Sequence, residues 1–443
     1  MIIIGRWTTT GRLASTCAIF LFGACATSLF LVRESNAWPA AGAQPVTNSE
    51  AWVTAWGTSQ QALGETPITN ATVRMIARVT IPGDSVRIRL DNAFGIEPVT
   101  IGRAYIGRRI QGSALAAGSN RPLKFNGASE ATIPVGGSTW SDPVRLPVLA
   151  QQDIAVSLYI PGANVRPSQH TGAVVTSYRS ADGTGDVASA EGRMPFGATT
   201  TSLWWLKAID VESATSRGAI VAFGDSITDG TCSTPDAHDR WEDVLSIRLG
   251  LEHNVNAPPG RGRRDGVKAV VNEGIGGNTL TRQGLTPPAD STPGMERLDR
   301  DVLSHHGVTD VVLFMGTNDI RRGAPAAQVV AGMTSIIQRV KAKGIRIAGA
   351  TIIPRHNVAA AGTNTGWNAD KTRIRNEVNQ WIRSKAPFDA VIDFDRVVRD
   401  PTNPDLMNPP LNCGDGIHPS PAGYYAMGKS VELNLFSGHG RGR

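Results

Sequence analysis

The amino-acid sequence predicts two folded regions: an all-β, sandwich-like domain, then an α/β domain with a flavodoxin-like, doubly wound, five-stranded parallel sheet. Three observations lead to this prediction. Between residues 51 and 211, apolar and polar residues alternate with a period of two, without a helical period. From residue 218 onward, short apolar runs alternate with helical patterns, which is typical of parallel sheets. The length of 443 residues also exceeds that of one ordinary domain.

The composition supports a folded protein and excludes several classes. Hydrophobic residues make up 41% and charged residues 19% of the chain, which is too apolar a balance for a disordered protein. The 48 glycines and 27 prolines follow no period, which excludes collagen-like and solenoid architectures. The formal net charge of +6 is scattered, without a stripe of Lys and Arg interleaved with aromatic residues. We therefore expect no nucleic-acid partner.

The first 37 residues have the pattern of a secretory signal peptide. Arg6 and Arg12 precede an uncharged stretch from Leu13 to Val32, and small residues precede a cleavage site after Ala37. This pattern predicts a secreted or periplasmic protein. Two alternatives stay open: the uncharged stretch is long enough to remain as a membrane-anchoring helix, and Cys25 resembles the cysteine of a lipoprotein signal.

Residues 51–211 are predicted to form the all-β domain, after a Pro- and Ala-rich linker at residues 38–50. Its clearest strand alternates apolar with more polar positions, the apolar ones being Val73, Met75, Ala77, Val79 and Ile81. Turn signals such as Pro82-Gly83-Asp84 separate such runs. Short alternating strands bounded by turns favour a sandwich.

Residues 218–437 are predicted to form the α/β domain, followed by a basic tail at residues 438–443. Five apolar runs are its predicted strands: Ala219–Phe223, Ala269–Val271, Val311–Met315, Ile345–Ile353 and Ala390–Ile392. Two helical faces lie between them, one formed by Val329, Val330, Met333, Ile336, Ile337 and Val340, the other by Ile374, Val378, Trp381 and Ile382. Ser420 followed by Pro421 is a helix start. Five strands match the flavodoxin-like order.

Polar, glycine-rich loops follow the predicted strands, at residues 224–230, 272–278, 316–319 and 415–419. In parallel sheets, ligands bind beyond the carboxyl ends of the strands. The loops supply the hydroxyl of Ser226, the carboxamide of Asn318 and an acid–imidazole pair, Asp415 and His418. A serine hydroxyl becomes a nucleophile when an imidazole accepts its proton and a carboxylate orients the imidazole. Backbone N–H groups, such as that of Gly277, can stabilise the oxyanion.

The four loops resemble the signature blocks of the SGNH, or GDSL, hydrolase superfamily. The matching blocks are Gly224-Asp225-Ser226, Gly277, Gly316-Thr317-Asn318-Asp319 and Asp415-x-x-His418. The resemblance covers Gly218 to about Phe436, and the preceding β-domain resembles the one that accompanies a bacterial subgroup of secreted esterases. It implies Ser226 as nucleophile, His418 as base and Asp415 as the residue that orients His418. It also implies an oxyanion hole formed by Ser226, Gly277 and Asn318, and an acyl-enzyme mechanism without metal or cofactor.

A disulfide between Cys232 and Cys413 is also predicted. Cys232 lies six residues beyond Ser226, and Cys413 lies two residues before Asp415, so the cysteines are close if the nucleophile meets its base. The other two cysteines lie in the predicted leader. Two unpaired thiols are the alternative.

These residues predict a serine carboxylesterase, and the resemblance to the family implies short-acyl, above all acetyl, esters of small molecules or carbohydrates as its substrates. The alternatives are a lipase or lysophospholipase of the same superfamily and a non-catalytic carbohydrate-binding protein. Two loops, residues 257–268 and 356–368, are candidates for the border of the site, and plain surface loops are the alternative reading of both. His356 is a candidate for substrate contact, with a solvated loop histidine as the alternative.

Overall fold

The computed structural model describes residues 52–256, 266–360 and 365–437. The predicted leader (1–37), linker (38–50) and basic tail (438–443) lie outside the described residues, so cleavage or anchoring of the leader stays a prediction. Within the described ranges, every helix is too short or too polar to cross a membrane.

The region that ends at Glu212 consists of strands joined by turns. In chain order the strands are β1 (Trp52–Gly57), β2 (Ala62–Leu63), β3 (Ala71–Val79), β4 (Gly83–Asp91), β5 (Val99–Ile101), β6 (Arg103–Gln111), β7 (Ala114–Leu115), β8 (Arg121–Leu123), β9 (Ala131–Ile133), β10 (Ser138–Trp140), β11 (Val144–Val148), β12 (Gln152–Ile160), β13 (Ser168–His170), β14 (Ser177–Arg179), β15 (Ala198–Thr200), β16 (Leu203–Trp204) and β17 (Leu206–Glu212).

Two antiparallel sheets dominate this β-region. One has the order β1-β17-β4-β10, with β11 also paired to β4, and the other has the order β15-β14-β3-β12-β6-β7, with β8 also paired to β6. Val73 and Met75 on β3 and Val86 and Ile88 on β4 are buried in one common core. The β-rich region that the sequence predicts is therefore present, and its description as a sandwich stays a prediction.

Strand β3 departs from simple alternation because both of its faces are buried. Ile76, on the face opposite Met75, belongs to a second, smaller apolar cluster. Arg74 is fully buried on that face as well, and its guanidinium donates to Ser157 Oγ at 2.8 Å and to the carbonyl of Ser113 at 2.6 Å. A charged side chain tolerates this burial because acceptors surround it.

The region from Ala219 onward alternates strands with helices. In chain order the elements are β18 (Ala219–Gly224), α1 (Ser226–Asp229), α2 (Trp241–Glu252), β19 (Ala269–Gly274), α3 (Gly294–Leu298), a π-helical turn (Asp299–Leu303), β20 (Val308–Phe314), α4 (Thr317–Arg321), α5 (Ala326–Lys341), β21 (Arg346–Ala350), α6 (Ala369–Ser384), β22 (Ala390–Ile392), α7 (Phe394–Val398), a 3₁₀ turn (Pro409–Leu411), α8 (Pro421–Ser430) and a second 3₁₀ turn (Leu433–Phe436).

The five strands of this region form one parallel sheet in the order β19-β18-β20-β21-β22, which is the flavodoxin-like order. The predicted apolar face of α5 is buried at Val329, Met333, Ile336, Ile337 and Val340. Helix α8 begins as predicted, since Ser420 Oγ accepts the N–H of Gly423 at 3.2 Å and Pro421 follows. The covering of both sheet faces by helices stays a prediction.

The β-region covers β19, the edge strand of the parallel sheet. Thr80 Oγ1 accepts the N–H of Val270 at 3.1 Å and donates to its carbonyl at 3.3 Å, and the N–H of Thr54 donates to the carbonyl of His306 at 3.0 Å. The two bonds of Thr80 pair backbone groups that this edge strand would otherwise expose, and the bond of Thr54 contacts the chain just before β20. The residues described from Trp52 onward belong to one compact unit, and the division into domains at 51–211 and 218–437 stays a prediction.

Candidate active site

Ser226 is the first residue of α1 and directly follows the turn at Gly224 and Asp225 that joins β18 to this helix. At Gly224 a Cβ atom would lie 2.0 Å from Thr228 Oγ1, so the turn admits only glycine there. Asp225 caps α1, its Oδ1 accepting the N–H of Ile227 at 3.0 Å. Ser226 is 8% exposed. The turn therefore places a largely buried hydroxyl at the carboxyl edge of the parallel sheet.

A continuous chain of hydrogen bonds joins Ser226, His418 and Asp415. Ser226 Oγ lies 2.8 Å from His418 Nε2, and His418 Nδ1 lies 2.5 Å from Asp415 Oδ2. Asp415 Oδ1 also accepts the backbone N–H groups of Ile417 and His418, each at 2.8 Å. This geometry lets an imidazole take the proton of a serine hydroxyl while a carboxylate orients it. The structure thus brings together the three predicted residues, whose catalytic roles stay a prediction.

The carboxyl of Asp415 is held in its ionised form. Partial burial alone would raise its pKa, but the hydrogen bonds from the His418 ring and from the N–H groups of His418 and Ile417 outweigh burial and hold the pKa well below its usual range. A carboxylate at this position stabilises the positive charge that His418 acquires when it takes a proton.

Asn412, which no sequence motif marks, shapes the turn that carries the acid–imidazole pair. Its Oδ1 accepts the N–H groups of Gly414 at 2.8 Å and Gly416 at 3.1 Å, and its Nδ2 donates to the carbonyl of His418 at 3.1 Å. Gly416 has a φ of +72°, a conformation that favours glycine. In the sequence, Asn412 has the pattern of an ordinary turn residue.

Cys232 and Cys413 form a disulfide, as predicted. Their Cα atoms are 6.3 Å apart, although 181 positions separate them in the sequence. The hydroxyl of Tyr424 donates to the carbonyl of Thr231 at 2.7 Å and joins the same two parts of the chain a second time. The loop after the serine is therefore tied to the turn that holds the histidine.

Gly277 lies in the loop after β19 and Asn318 lies in the first turn of α4, and these two segments contact each other. Asn318 Nδ2 donates to the carbonyl of Asn278 at 3.1 Å, which uses one of its two N–H groups. Asp319 accepts two backbone N–H groups of the same loop, from Leu280 at 2.8 Å and from Thr281 at 3.0 Å. Gly277 itself has a φ of +72°. The assignment of Ser226, Gly277 and Asn318 to an oxyanion hole stays a prediction.

Arg297 is a second residue that no sequence motif marks. It is fully buried, and its Nη2 donates to the carbonyl of Gly224 at 2.9 Å while its Nε donates to Asn278 Oδ1 at 3.0 Å. It therefore ties the end of β18, just before the serine turn, to the loop that contains Gly277. In the sequence a single arginine on a short helix has the pattern of a solvated residue.

Two buried carboxyls lie beside Ser226, His418 and Asp415. Burial, reinforced by the charge of Asp319 and opposed by the N–H of Ile227, raises the pKa of Asp225 to about 7. Burial likewise raises the pKa of Asp319 to about 6, although the N–H groups of Leu280 and Thr281 oppose it. Ionisation of Asp225 and Asp319 therefore makes the free energy of unfolding depend on pH near neutrality.

His356 contacts two other loops of the chain, and its contact with substrate stays a prediction. Its backbone N–H donates to the carbonyl of Gly416 at 2.8 Å, and its ring Nε2 accepts the N–H of Met407 at 3.2 Å. The ring therefore holds the chain near the catalytic turn. Of the two candidate border loops, residues 257–265 and 361–364 lie outside the described residues, so a border role stays a prediction for both.

One group of side chains in the described part of the chain has metal-ligand spacing. Cys232, Cys413 and Asp415 offer ligand atoms within 4.8 Å of one another. Because the two sulfur atoms are bonded to each other, they are not the thiolates that bind metals. This group does not fit a metal ion.

Comparison with known proteins adds a family match. Residues 222–426 match the model of the GDSL-like Lipase/Acylhydrolase family. No curated protein matches the chain. A carbohydrate acetylesterase from Sinorhizobium meliloti is 16% identical, over 47% of this chain and 94% of its own, with a TM-score of 0.36. A GDSL-like lipase from Bacteroides thetaiotaomicron is 18% identical, over 50% of this chain and 88% of its own, with a TM-score of 0.34. A member of the lipolytic protein G-D-S-L family from Veillonella parvula is 19% identical, over 48% of this chain and 94% of its own, with a TM-score of 0.32.

Proposed function

Through residues 222–426 the chain belongs to the SGNH/GDSL hydrolase superfamily, and on that premise we propose that it is a serine carboxylesterase acting on short-acyl, above all acetyl, esters. The observation that carries the proposal is the unbroken chain from Ser226 Oγ to His418 Nε2 at 2.8 Å and from His418 Nδ1 to Asp415 Oδ2 at 2.5 Å.

The proposed reaction has two steps. In the first, Ser226 Oγ attacks the ester carbonyl while His418 Nε2 takes its proton, and the developing oxyanion is met by the N–H groups of Ser226 and Gly277 and the Asn318 carboxamide. His418 then returns the proton to the leaving alcohol, which leaves an acyl group on the serine. In the second step water attacks the acyl carbonyl while His418 Nε2 takes its proton, and His418 then gives that proton to Ser226 Oγ as the bond between the acyl carbon and the serine oxygen breaks and the acid leaves. Asp415 stabilises the imidazolium in both steps.

The short acyl group and the carbohydrate alcohol are supported by the resemblance to secreted esterases, since the residues proposed for the triad and the oxyanion hole serve ester hydrolysis whatever the length of the acyl chain. A long acyl chain needs a continuous apolar wall, because each buried CH₂ group contributes about 0.8 kcal/mol. A series of esters of increasing chain length tests for such a wall.

The test is hydrolysis of p-nitrophenyl acetate, butyrate and octanoate by the wild-type protein, beside Ser226→Ala and the matched control Ser233→Ala. Ser233 is also a buried serine, 8% exposed, whose Oγ donates to the carbonyl of Gly230 at 2.6 Å, outside the triad. We expect the Ser226 variant to lose at least about 10³-fold in kcat/KM, while the control keeps most of the wild-type rate. Release of acetate from peracetylated glucose extends the test to carbohydrates.

The same series decides between the alternatives. Rates that fall from acetate to octanoate support the short-acyl esterase, whereas rates that rise steadily favour a lipase. Equal rates in wild type and the Ser226 variant, with circular dichroism showing that both are folded, would rule out the serine mechanism. Binding of polysaccharide without hydrolysis would then favour the carbohydrate-binding alternative.

A further inference from the structure

A link of three hydrogen-bonded groups runs from the β-region to the loop that contains Gly277. It begins at His170, the last residue of β13, which is 2% exposed. His170 Nε2 lies 3.0 Å from Asp229 Oδ1. The other oxygen of that carboxylate, Asp229 Oδ2, accepts the backbone N–H of Gly276 at 2.9 Å. One carboxylate thus contacts the β-region on one side and the residue before Gly277 on the other.

The surroundings of His170 require both ring nitrogens to donate. Nδ1 lies 2.8 Å from the carbonyl oxygen of Ser59, which can only accept. Nε2 faces the carboxylate of Asp229, which accepts as well when it is ionised. A neutral imidazole has a single N–H group and satisfies only one of these acceptors. With Asp229 ionised, His170 satisfies both acceptors only as an imidazolium, and this ion pair holds the carboxylate in a fixed orientation.

The β-region also contacts the end of β19, the strand that leads into this loop. Ser59 Oγ donates to Glu273 Oε2 at 2.5 Å, and Lys207 Nζ donates to the same oxygen at 2.9 Å. Glu273 lies in β19, directly before the residues that lead to Gly276 and Gly277. Contacts from the β-region therefore reach both the strand that enters the loop and the loop itself.

We propose that His170 of the β-region is a positioning residue for the loop that contains Gly277, residues 275–278, which we call the oxyanion loop. His170 acts through Asp229 on the backbone of Gly276 and so on the neighbouring N–H of Gly277. The inference rests on the proposed esterase function. It gives the β-region a part in catalysis: the imidazolium orients the carboxylate, and the carboxylate fixes the peptide between Ile275 and Gly276, one peptide before the one that carries the N–H of Gly277. Preorganised donors act only when they are held in place, and a displacement of about 1 Å can cost on the order of 10²-fold in rate.

Two amide substitutions separate the two contacts of His170. In His170→Asn the amide nitrogen lies near the place of Nδ1, so it can still donate to the carbonyl of Ser59 but does not reach Asp229. In His170→Gln the amide nitrogen lies near the place of Nε2, so it can still donate to Asp229. Both variants remove one ring and one charge, so a difference between them reports the Asp229 contact.

Ser304→Ala is the matched control for loss of a contact between the β-region and the α/β region. Ser304 Oγ accepts a hydrogen bond from Arg89 Nη1 of β4 at 2.8 Å, so its removal breaks a contact between the two regions that does not involve Asp229 or Gly276. All variants are made in the full chain, with thermal unfolding as the check on folding.

Two readouts test the proposal. The first is kcat and KM for p-nitrophenyl acetate, for which we expect His170→Asn to lower kcat about 10- to 100-fold with little change in KM, and His170→Gln and Ser304→Ala to stay within about 3-fold of wild type. The second is hydrogen–deuterium exchange of the peptide that spans residues 274–279, which we expect to be about 10-fold faster in His170→Asn than in the other two variants.

Wild-type kcat and exchange in His170→Asn would overturn the proposal, and so would an equal loss of kcat in the Asn and Gln variants. If His170→Asn does not fold, hydrogen–deuterium exchange of residues 274–279 is compared between wild type and His170→Gln. The comparison is made at neutral and at alkaline pH, and the rates are corrected for the intrinsic pH dependence of amide exchange. Equal protection in both would contradict the link. A wild-type protein inactive on every ester would refute the proposed function, while the exchange measurements still test the link.

Discussion

The Nδ1 atom of His418 lies 2.5 Å from Oδ2 of Asp415, and the same carboxylate accepts the backbone N–H groups of Ile417 and His418 through its other oxygen. Three donors thus converge on one carboxylate, which fixes its orientation relative to the imidazole. We expect Asp415→Asn to lower kcat/KM for p-nitrophenyl acetate by about 10³- to 10⁴-fold, because an amide neither stabilises the imidazolium nor enforces its tautomer.

Asp370→Asn serves as the control for this substitution. Asp370 lies in the first turn of α6 and is exposed, and its loss should leave kcat/KM within about 2-fold of wild type. A rate in Asp415→Asn close to that of the control would show that another group orients His418.

Asn318→Ala tests the oxyanion assignment. Removal of one donor from an oxyanion hole typically costs about 10²- to 10³-fold in kcat, because that donor acts on charge that exists only in the transition state. We therefore expect a loss of this size in kcat with KM changed less than about 3-fold. Asn434→Ala, an exposed asparagine in the last 3₁₀ turn, is the control. An increase in KM with unchanged kcat would instead indicate a role in substrate binding.

Asp225→Asn tests the pH dependence of stability. The folded-state pKa of about 7 lies above the unfolded value of about 3.9, so the folded protein holds this proton more tightly. Ionisation of Asp225 therefore lowers the free energy of unfolding as pH rises from about 4 to 7, and roughly 2–3 kcal/mol of this loss falls between pH 5 and pH 8. Asparagine keeps an acceptor for the N–H of Ile227 but does not ionise.

Urea unfolding of wild type and Asp225→Asn at pH 5 and pH 8 measures this effect. We expect the stability of the variant relative to wild type to increase between the two pH values. A difference that is the same at both would mean that Asp225 keeps one protonation state across the range.

The parallel sheet and the meeting of Ser226, His418 and Asp415 could be predicted from the sequence because both depend on local signals. Apolar runs mark the strands, and chemically distinctive residues follow them at the edge where ligands bind. Ser226 and His418 are 192 positions apart, yet each lies in a loop whose place in the sheet follows from strand order. The disulfide between Cys232 and Cys413 follows from the same reasoning.

The residues that hold this edge in place could not be found in that way. His170 and Asp229 lie in different regions of the chain, and their contact depends on how the β-region packs against β19. Arg74 on β3 is buried only because a second apolar cluster covers that face of the strand. Such contacts depend on the docking of whole sheets, for which a single sequence carries no periodic signal.

Removal of the disulfide should destabilise the protein. The bridge closes a loop of 181 positions, and the chain-entropy estimate for such a loop is about 5 kcal/mol. We expect the Cys232→Ser/Cys413→Ser variant to lose a substantial part of that amount in urea unfolding. Thiol titration of unfolded, unreduced protein should give the same count for wild type and the double variant. Two more reactive thiols in wild type would show that the bridge is not formed.

The ion pair between His170 and Asp229 should also give the esterase rate a dependence on alkaline pH. Burial alone, and the nearby charge of Arg240, would lower the pKa of His170, but the charge and hydrogen bond of Asp229 and the carbonyl of Ser59 outweigh them and raise it. Four further titratable or charged groups line the cavity of about 50 Å³ beside this pair: Arg78, His238, Glu242 and Asp243.

With its pKa raised in the folded state, the imidazolium holds Asp229 fully below the ordinary histidine pKa of about 6.5, and the link is lost as pH rises through the higher folded-state pKa. The wild-type kcat for p-nitrophenyl acetate, corrected with Ser226→Ala as background, should therefore fall on the alkaline side. The amide of His170→Gln does not titrate and still donates to Asp229, so this variant should lack that decline. The other titratable groups in the cavity are present in both proteins. The ratio of the two profiles of kcat against pH therefore reports the change at position 170. A ratio that stays constant from neutral to alkaline pH would mean that the proton on His170 has no influence on the oxyanion loop.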